Sequence, residues 1–580
     1  MLKTIQRRRV ADHRIEGLAE QGDDTLLARI YAARGIASES ELARDLSSML
    51  LPNGFRGMSE AVALLADAVQ QQQNVVIIGD YDADGATSSA LAILVLRALG
   101  LMSVSYLVPN RFSHGYGLTP RLVDEAVALG AELIVTVDNG IAAIAGVEAA
   151  TKAGIKVVVT DHHLPGDELP KADAIVNPMQ PGCGFASKNI AGVGVIFYVM
   201  AALRGELRER GWFADGRIPM PNMADYLDIV ALGTVADVVP LDKNNRILVH
   251  QGLARIRAGK ARPGILKILE AANKSPHRVV ASDMGFAIGP RLNAAGRLDD
   301  MSLGVECLLT GDAIRAAEIA TELDDLNKDR RSIEGAMLLE ADNVLATLSL
   351  DEQQLPWGLC LFDKDWHEGV IGILASRIKD KHHRPVIIFA QGDDGAVKGS
   401  ARSIAGFHMR DALAAIDAAH PGLIDKFGGH AMAAGLTIAA ENYHRFCELF
   451  DIEVKKQLSE AELQAIIMSD GELSSDQFSL AVAHRLREAG PWGQHFPEPL
   501  FDGEFTLVQQ RLVGGNHLKM VLAPSGFDGQ LIDAIAFNID NTQWPNLSVN
   551  RVKLAYKLDV NEFRGQQTVQ LLVDYLEAVQ

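Results

Sequence analysis

The sequence predicts an α/β chain: a parallel sheet with flanking helices, a long connecting helix, a second α/β unit, and a small terminal β-barrel. Three observations carry this reading. Between residues 60 and 165, β-branched runs at 75–78, 104–108, 133–137 and 156–160 alternate with alanine-rich stretches, and strands alternating with helices of that length imply βαβ units. From 313 to 346 the pattern is charged, helical and poor in turn residues (AIRAAEIATELDDLNKDRRSIEGAMLLEADNVLA), as suits a rigid connector between globular regions. Beyond about 470, strand-like runs at 518–522, 534–537, 552–558 and 568–572 are separated by turn residues, and an OB-type barrel fits that length.

Taken in order, the elements have local reasons. A polar stretch precedes the first strand. One helix start is well marked, with Thr119 as N-cap, Pro120 in the first helical position and Gly130 closing the helix. Apolar helical sequence continues through 190–203 and 224–236, and a second α/β unit runs from Trp357 to about 440. At 580 residues and 62.5 kDa, a length of roughly 150 residues per domain suggests about four units. With 48% hydrophobic and 22% charged residues the chain is globular. Its longest uncharged apolar run, 190–203, ends at Arg204 and falls short of the roughly 20 residues a membrane span needs. The N-terminal arginines are followed by Asp12 and Glu16 and by no apolar stretch, which argues against a targeting peptide. Cys183, Cys307, Cys360 and Cys447 are widely separated and form no CxxC. A thiolate cluster or disulfide framework is therefore not expected, and a cytoplasmic location without a membrane is.

The net charge of −19 argues against coating nucleic acid by bulk attraction. Locally the balance reverses: 246–297 carries ten basic residues against Glu270 and Asp283. That run reads either as a solvated helical surface or as an anion-binding wall facing an acidic site.

The chemistry lies at the strand ends. The first strand runs into Gly79-Asp80-Tyr81-Asp82-Ala83-Asp84-Gly85, the third into Asp138-Asn139-Gly140, the fourth into Asp161-His162-His163, and Asp237 follows ALGTVA. If 80–84 is extended, its three carboxylates face one side. Open α/β sheets place their ligand crevice at the carboxyl ends of the strands. Singly the clusters have bland readings: DNG as a turn, DHH as a loop or N-cap, Asp237 as a turn cap. An EF-hand is ruled out, because its twelfth position would be Leu91 and a strand precedes the loop. Crowded carboxylates repel one another unless something positive sits among them. Oxygen-rich ligation with one or two imidazoles suits two divalent cations, Mn²⁺ or Mg²⁺, which together activate water and clamp a phosphoryl oxygen. The constellation reads as a two-metal phosphoesterase.

GDYDADG, VDNG, DHH and ALGTVAD in this order resemble the signature of the DHH phosphoesterases. PNRFSHGYGL, GPRLNAAGRL, WHEGVIGILASRI, KGSARS, FGGHAMAAGL and GGNHLKMVL are similar to the RecJ family of bacterial single-strand-specific exonucleases. Many relatives open the first motif with histidine where this chain has Asp80, which adds negative charge to the first metal site. The resemblance implies metal ligands at Asp80, Asp82, Asp84, Asp138, His162 and Asp237, with Asp138 bridging two ions. It implies His163 beside the scissile phosphate and Asp161 or Asn139 as acceptor for a ligand imidazole. Ser400, Arg402, Gly429 and His430 would hold a terminal phosphate. Arg111, Arg291 and Arg297 are further phosphate candidates, and Tyr116 a base-stacking one. Lys519 belongs to a set of barrel cations with Arg511, His517, Arg551, Lys553, Lys557 and Arg564 that would track a DNA backbone. The resemblance implies a 5′→3′ exonuclease on single-stranded DNA that releases 5′-mononucleotides, in recombination and repair. With no GxxxxGK[ST] motor motif, unwinding would fall to a separate helicase; the resemblance implies a RecQ-type or RecBCD-type one, with single-strand-binding protein as a further partner. Rival readings are a phosphodiesterase for short oligonucleotides or cyclic dinucleotides, and a scaffold that has lost its metals. The expected divisions are an N-terminal segment (1–50), a DHH catalytic domain (51–305), a connecting helix (306–350), a DHH-associated substrate-binding domain (351–445), and a linker with the OB-type domain (446–580).

Overall fold

The computed structural model describes residues 3–22, 24–110, 117–348, 355–392, 395–525 and 531–579. They fall into two compact units, one of residues 7–325 with 469–580 and one of 1–6 with 326–468.

In the larger unit, helices α1 (Asp12–Gly22), α2 (Thr25–Ala32) and α3 (Met58–Gln71) precede a five-stranded sheet. The sheet elements are β1 (Val75–Ile78), α4 (Ala83–Ala98), β2 (Val104–Leu107), α5 (Pro120–Ala128), β3 (Leu133–Val137), α6 (Ile144–Lys152), β4 (Lys156–Thr160) and β5 (Ala174–Val176). All neighbours are parallel, in the order β2-β1-β3-β4-β5. Every residue of β1 and β3 is buried, as expected of parallel strands covered on both faces, which read as unbroken apolar runs. The strand order reverses between β1 and β3, and that switch point is where such sheets bind ligands. Helix α5 begins as its sequence dictates, with the Thr119 side chain accepting the Leu122 N–H. Helices α7 (Gly192–Glu209), α8 (Leu227–Ala236) and α9 (Lys243–Arg257) follow; α8 is almost wholly buried. A π-helical turn, Met284–Ile288, leads into α10 (Gly289–Leu298).

The basic run 246–297 is mostly neutralised by carboxylates, several of them outside it. Arg255 pairs with Asp225, Arg262 with buried Asp228, Arg278 with Glu562 and Arg291 with Asp324. Arg246 is buried and caps the Leu241 and Glu41 carbonyls. The wall reading is thereby corrected: these cations bind the unit together.

Helix α11 (Ala313–Leu348) begins in the larger unit and continues into the smaller. The smaller unit comprises β6 (Leu359–Phe362), α12 (Ile371–His382), β7 (Val386–Gln391), β8 (Ala396–Arg402), α13 (Met409–Ala419), β9 (Lys426–Gly429), β10 (Ala433–Ala439) and α14 (Tyr443–Gln457). Its sheet order is β9-β10-β8-β7-β6, with only β6 and β7 parallel. Phe446, Phe450 and Val454 of α14 are buried in this core, so the unit continues past 445 to the end of that helix.

Helix α15 (Leu480–Glu488) and strands β11 (Phe501–Val513), β12 (His517–Pro524), β13 (Ile532–Ala536), β14 (Arg551–Phe563) and β15 (Gln566–Ala578) complete the larger unit. The strands close into a barrel in the order β11-β12-β13-β15-β14. The N-terminal segment is part of this assembly. Leu26 and Ile30 of α2 enter the barrel core beside Phe501, Phe505 and Tyr556, and Arg34 makes a buried ion pair with Asp470. Residues 41–50 meanwhile bind α9, where Asn244 Oδ1 accepts the Leu50 N–H. No helix among the described residues is long and apolar enough to cross a membrane.

Candidate metal centre

The first motif is not extended. Asp82 is the N-cap of α4, its side chain accepting the Asp84 and Gly85 N–H groups, and Asp84 sits in the first turn of that helix. The expected alternation of faces is therefore corrected: a tight strand-to-helix turn gathers the carboxylates. Ala83 N–H donates to Asn293 of α10, which holds the turn from outside. Asp84 is buried and accepts the Gly192 and Val193 N–H groups at 2.7 and 3.0 Å, a favourable place for an anion at the N-terminus of α7.

Asp138 follows β3 with φ +61°, a conformation that Asp tolerates better than most residues. Its Oδ1 is buried, accepts no hydrogen bond among the described residues and lies 3.1 Å from His162 Nε2. His162 Nε2 is also 3.4 Å from Asp237 Oδ2. Among the described residues, three sets of side chains bring ligand atoms within 4.8 Å of one another: Asp80, Asp82 and Asp138; Asp84, His162 and Asp237; Asp138, His162 and His163. Asp138 and His162 thus each belong to two sets. Two glycines keep the space open. A Cβ on Gly192 would stand 2.6 Å from Asp138, and one on Gly233 would stand 2.7 Å from Asp84 Oδ1. Gly192, Gly233 and Asn293 were not singled out in the sequence, where they resemble ordinary helix residues.

Asp161 is the organiser of its loop. Its Oδ1 accepts the His162 and His163 N–H groups and contacts His163 Nδ1 at 2.8 Å, and its Oδ2 accepts the Ile141 N–H. The orienting role thus falls on His163. Asn139 Nδ2 donates to the Ile78 and Val137 carbonyls, tying β1 to β3. Burial pushes the Asp84 carboxyl up to about 7, with repulsion from Asp82 adding to it. Burial and then the neighbouring carboxylates likewise raise Asp138 and Asp237 well above the ordinary range. Burial alone would lower His163, but its bond to Asp161 and the surrounding negative charge raise it to about 9. Burial alone would raise Asp161, but His163, His162 and the Ile141 N–H lower it. A site that pushes its own carboxylates toward protonation is built to receive positive charge, and oxygens with imidazole suit a hard or borderline divalent cation.

The other expected residues fall elsewhere. Arg111 and Tyr116 lie outside the described residues. Arg291 donates to Asp324 and the Ala287 carbonyl and is buried, so it is a strut and not an open phosphate contact. Arg297 is half-buried in the last turn of α10. Ser400 and Arg402 share a face of β8 in the smaller unit, near the first turn of α12, where a Cβ on Gly372 would lie 3.0 Å from Ser400 Oγ and Arg402 Nη2. Arg402 donates to Ser400 and the Ala401 carbonyl, and burial lowers its pKa. Among the described residues no carboxylate pairs with it. Gly429 has φ +139° and ends β9, and His430 N–H closes the turn onto Ala433. In the barrel, Lys519 pairs with Asp533, Arg551 with Glu504, Lys553 with Glu577 and Lys557 with Glu498, so the expected cationic groove is largely neutralised.

Comparison with known proteins spans nearly the whole chain. The DHH family N-terminal domain matches residues 74–234, the DHHA1 domain 354–456 and the RecJ OB domain 469–575. The chain is 57% identical over 551 residues to the single-stranded-DNA-specific exonuclease RecJ of Dickeya dadantii, covering 95% of this chain and 96% of that protein. It belongs to the RecJ family. The Escherichia coli RecJ is 54% identical over 575 residues, covering 99% of each chain. The RecJ of Thermus thermophilus, crystallised in complex with Mn²⁺, superposes with a TM-score of 0.81 at 29% identity, covering 100% of this chain and 79% of that one. DHH domain, DHHA1 domain and OB barrel thus occur here as in RecJ.

Proposed function

We propose that this chain is a metal-dependent 5′→3′ exonuclease that degrades single-stranded DNA to 5′-mononucleotides, in DNA recombination and repair. The observation that carries the reading is the carboxylate and imidazole cluster at the β1/β3 switch point, whose buried acids repel one another until cations enter. Asp80, Asp82, Asp84, Asp138, His162 and Asp237 would hold two divalent ions, Mn²⁺ or Mg²⁺. When bound, such ions neutralise phosphate charge and lower the pKa of water. The chain's own residues do the rest. Asp161 holds the His163 ring by Nδ1 and so fixes its orientation beside the scissile phosphate, and Asn139 fixes the separation of the two strand ends. The family resemblance supplies the polarity. It also supports a cytoplasmic location and cooperation with single-strand-binding protein and a separate helicase. Digestion of 5′- and 3′-labelled single strands with Mn²⁺, Mg²⁺ or EDTA tests the proposal. Label should be lost first from the 5′ end, with either ion and not with EDTA; loss from the 3′ end overturns the polarity.

Ser400, Arg402 and the first turn of α12 make an anion site of the kind a terminal phosphate fits, since helix N-termini and guanidinium groups both favour phosphate. Arg402→Ala should therefore weaken capture of 5′-phosphorylated ends by about 1.5–3 kcal/mol, the range for a hydrogen bond to a charged group. Internal single-strand affinity should change little. Competition between phosphorylated and blocked ends measures this, and an unaltered preference would remove Arg402 from end recognition.

A further inference from the structure

Helix α8 ends on Asp237 in an unusual way. Asp237 is still right-handed and its N–H bonds the Gly233 carbonyl, and the next residue, Val238, has φ +60° with its N–H on the Val235 carbonyl. This is the position after a helix C-cap where glycine is the common choice. A β-branched side chain there is a conformational outlier, of the kind that collects at functional sites. Burial does not compensate the strain, for Val238 is 62% exposed while Val239 beside it is 9% exposed. A residue strained and open to water gains little from the fold that holds it.

A second exposed apolar side chain belongs to the segment that packs against the end of α8. The π-helical turn Met284–Ile288 packs on the last turn of α8, since a Cβ on Gly285 would meet Val235 Cγ1 at 3.5 Å and one on Gly289 would meet Ala236 Cβ at 3.3 Å. Between them Phe286 is 80% exposed, although Met284, Ala287 and Ile288 of the same turn are buried. Such turns occur frequently at functional sites. Two exposed apolar groups thus belong to the structure that presents Asp237.

We propose that Val238 and Phe286 form the apolar contact for the nucleosides of the strand whose phosphodiester lies at the carboxylate cluster. This rests on the nuclease reading above. A nucleotide offers an anionic phosphate and an apolar base face. The cluster with its cations answers only the first, and an aromatic ring with a bare isopropyl group answers the second without selecting a sequence. Both residues are positioning residues, fixing which phosphodiester rests against Asp237.

The test compares wild type, Val238→Gly and Phe286→Ala on oligonucleotides with intact bases or with abasic sites in the first three nucleotides from either end. Glycine accepts φ +60°, so Val238→Gly should raise the Tm of the metal-free protein while leaving Mn²⁺ affinity unchanged. Each variant should raise KM on intact strands about tenfold, as loss of one stacked or packed base implies, with kcat changed less. On abasic ends the variants and wild type should have the same KM. An unchanged KM on intact strands overturns the proposal, as does an equal penalty on abasic ends. A lower Tm or lost Mn²⁺ binding in Val238→Gly would make Val238 a support for Asp237 and also overturn it. Failure of wild type to cleave any single strand would instead defeat the nuclease reading.

Discussion

Asp138→Asn should reduce cleavage by at least the roughly 10²–10³-fold that follows loss of a single electrostatic contact to the reacting group, and it should lower Mn²⁺ binding with it. Asparagine keeps the shape and accepts the left-handed backbone found at φ +61°, so the change removes charge and not structure. Asp138 belongs to two of the three ligand sets, and both lose a ligand at once. Stability should move the other way. The Asp138 carboxyl is raised by burial and by Asp84, Asp82, Asp237 and Asp80, and Asp84 is raised to about 7. Groups whose pKa is higher folded than unfolded favour the fold at low pH and oppose it as pH rises through the folded value. The metal-free protein should therefore lose Tm as pH rises toward and through about 7, and Asp138→Asn should lose less. Mn²⁺ should restore the wild type far more than the variant. Thermal melts in EDTA and in Mn²⁺, with turnover on labelled strands, decide the matter. Wild-type turnover with unchanged Mn²⁺ content would defeat the shared-ligand assignment.

The sheet and its acidic strand ends were legible because both signals are local. Parallel strands such as VVII and LIVTV are buried on both faces and read as apolar runs, and the residues after them are in loops at the switch point. What the residues could not show was long-range. The basic run looked open because its partners Asp225, Asp228, Asp324 and Glu562 lie outside the window. Strand β11 went unread because FDGEFTLVQQRLV mixes charges and a glycine with a bulge between Leu507 and Gln509, which breaks the alternation a strand normally displays. Asp80, Asp82 and Asp84 were placed together for a reason that does not apply. An N-cap followed by a first helical turn gathers carboxylates as well as an extended segment does, and the sequence DYDAD is compatible with both.

The N-terminal segment is the largest such case, and it changes how the barrel should be tested. Removing residues from 470 onward would uncover Leu26 and Ile30, now 5% and 0% exposed, and would strip Arg34 of Asp470. A single substitution is cleaner. Arg34 and Asp470 side chains are each 1% exposed, with Nη1–Oδ1 at 2.9 Å and Nη2–Oδ2 at 3.0 Å. Arg34 also donates to the Pro497 and Ile30 carbonyls, and Asp470 Oδ2 accepts the Leu500 N–H. Arg34→Ala should destabilise the larger unit by about 3–5 kcal/mol, because it leaves a buried carboxylate without its partner. That is a large fraction of the roughly 5–15 kcal/mol by which folded domains are stable. Arg8, with Nε 3.5 Å from Asp470 Oδ1, offers only partial compensation. Replacing both partners by apolar residues, Arg34→Met with Asp470→Leu, should recover part of the loss, since the buried carboxylate is gone while the part-buried Arg8 loses its own partner. If the barrel holds long strands, Arg34→Ala should lose activity on them at temperatures where it still cleaves short oligonucleotides, because the metal cluster lies in the sheet and not in the barrel. Denaturant melts followed by tryptophan fluorescence report on the anchor directly, for Trp492 lies 5.2 Å from the Arg34 guanidinium carbon. A melt indistinguishable from wild type would show that the pair does not secure the barrel.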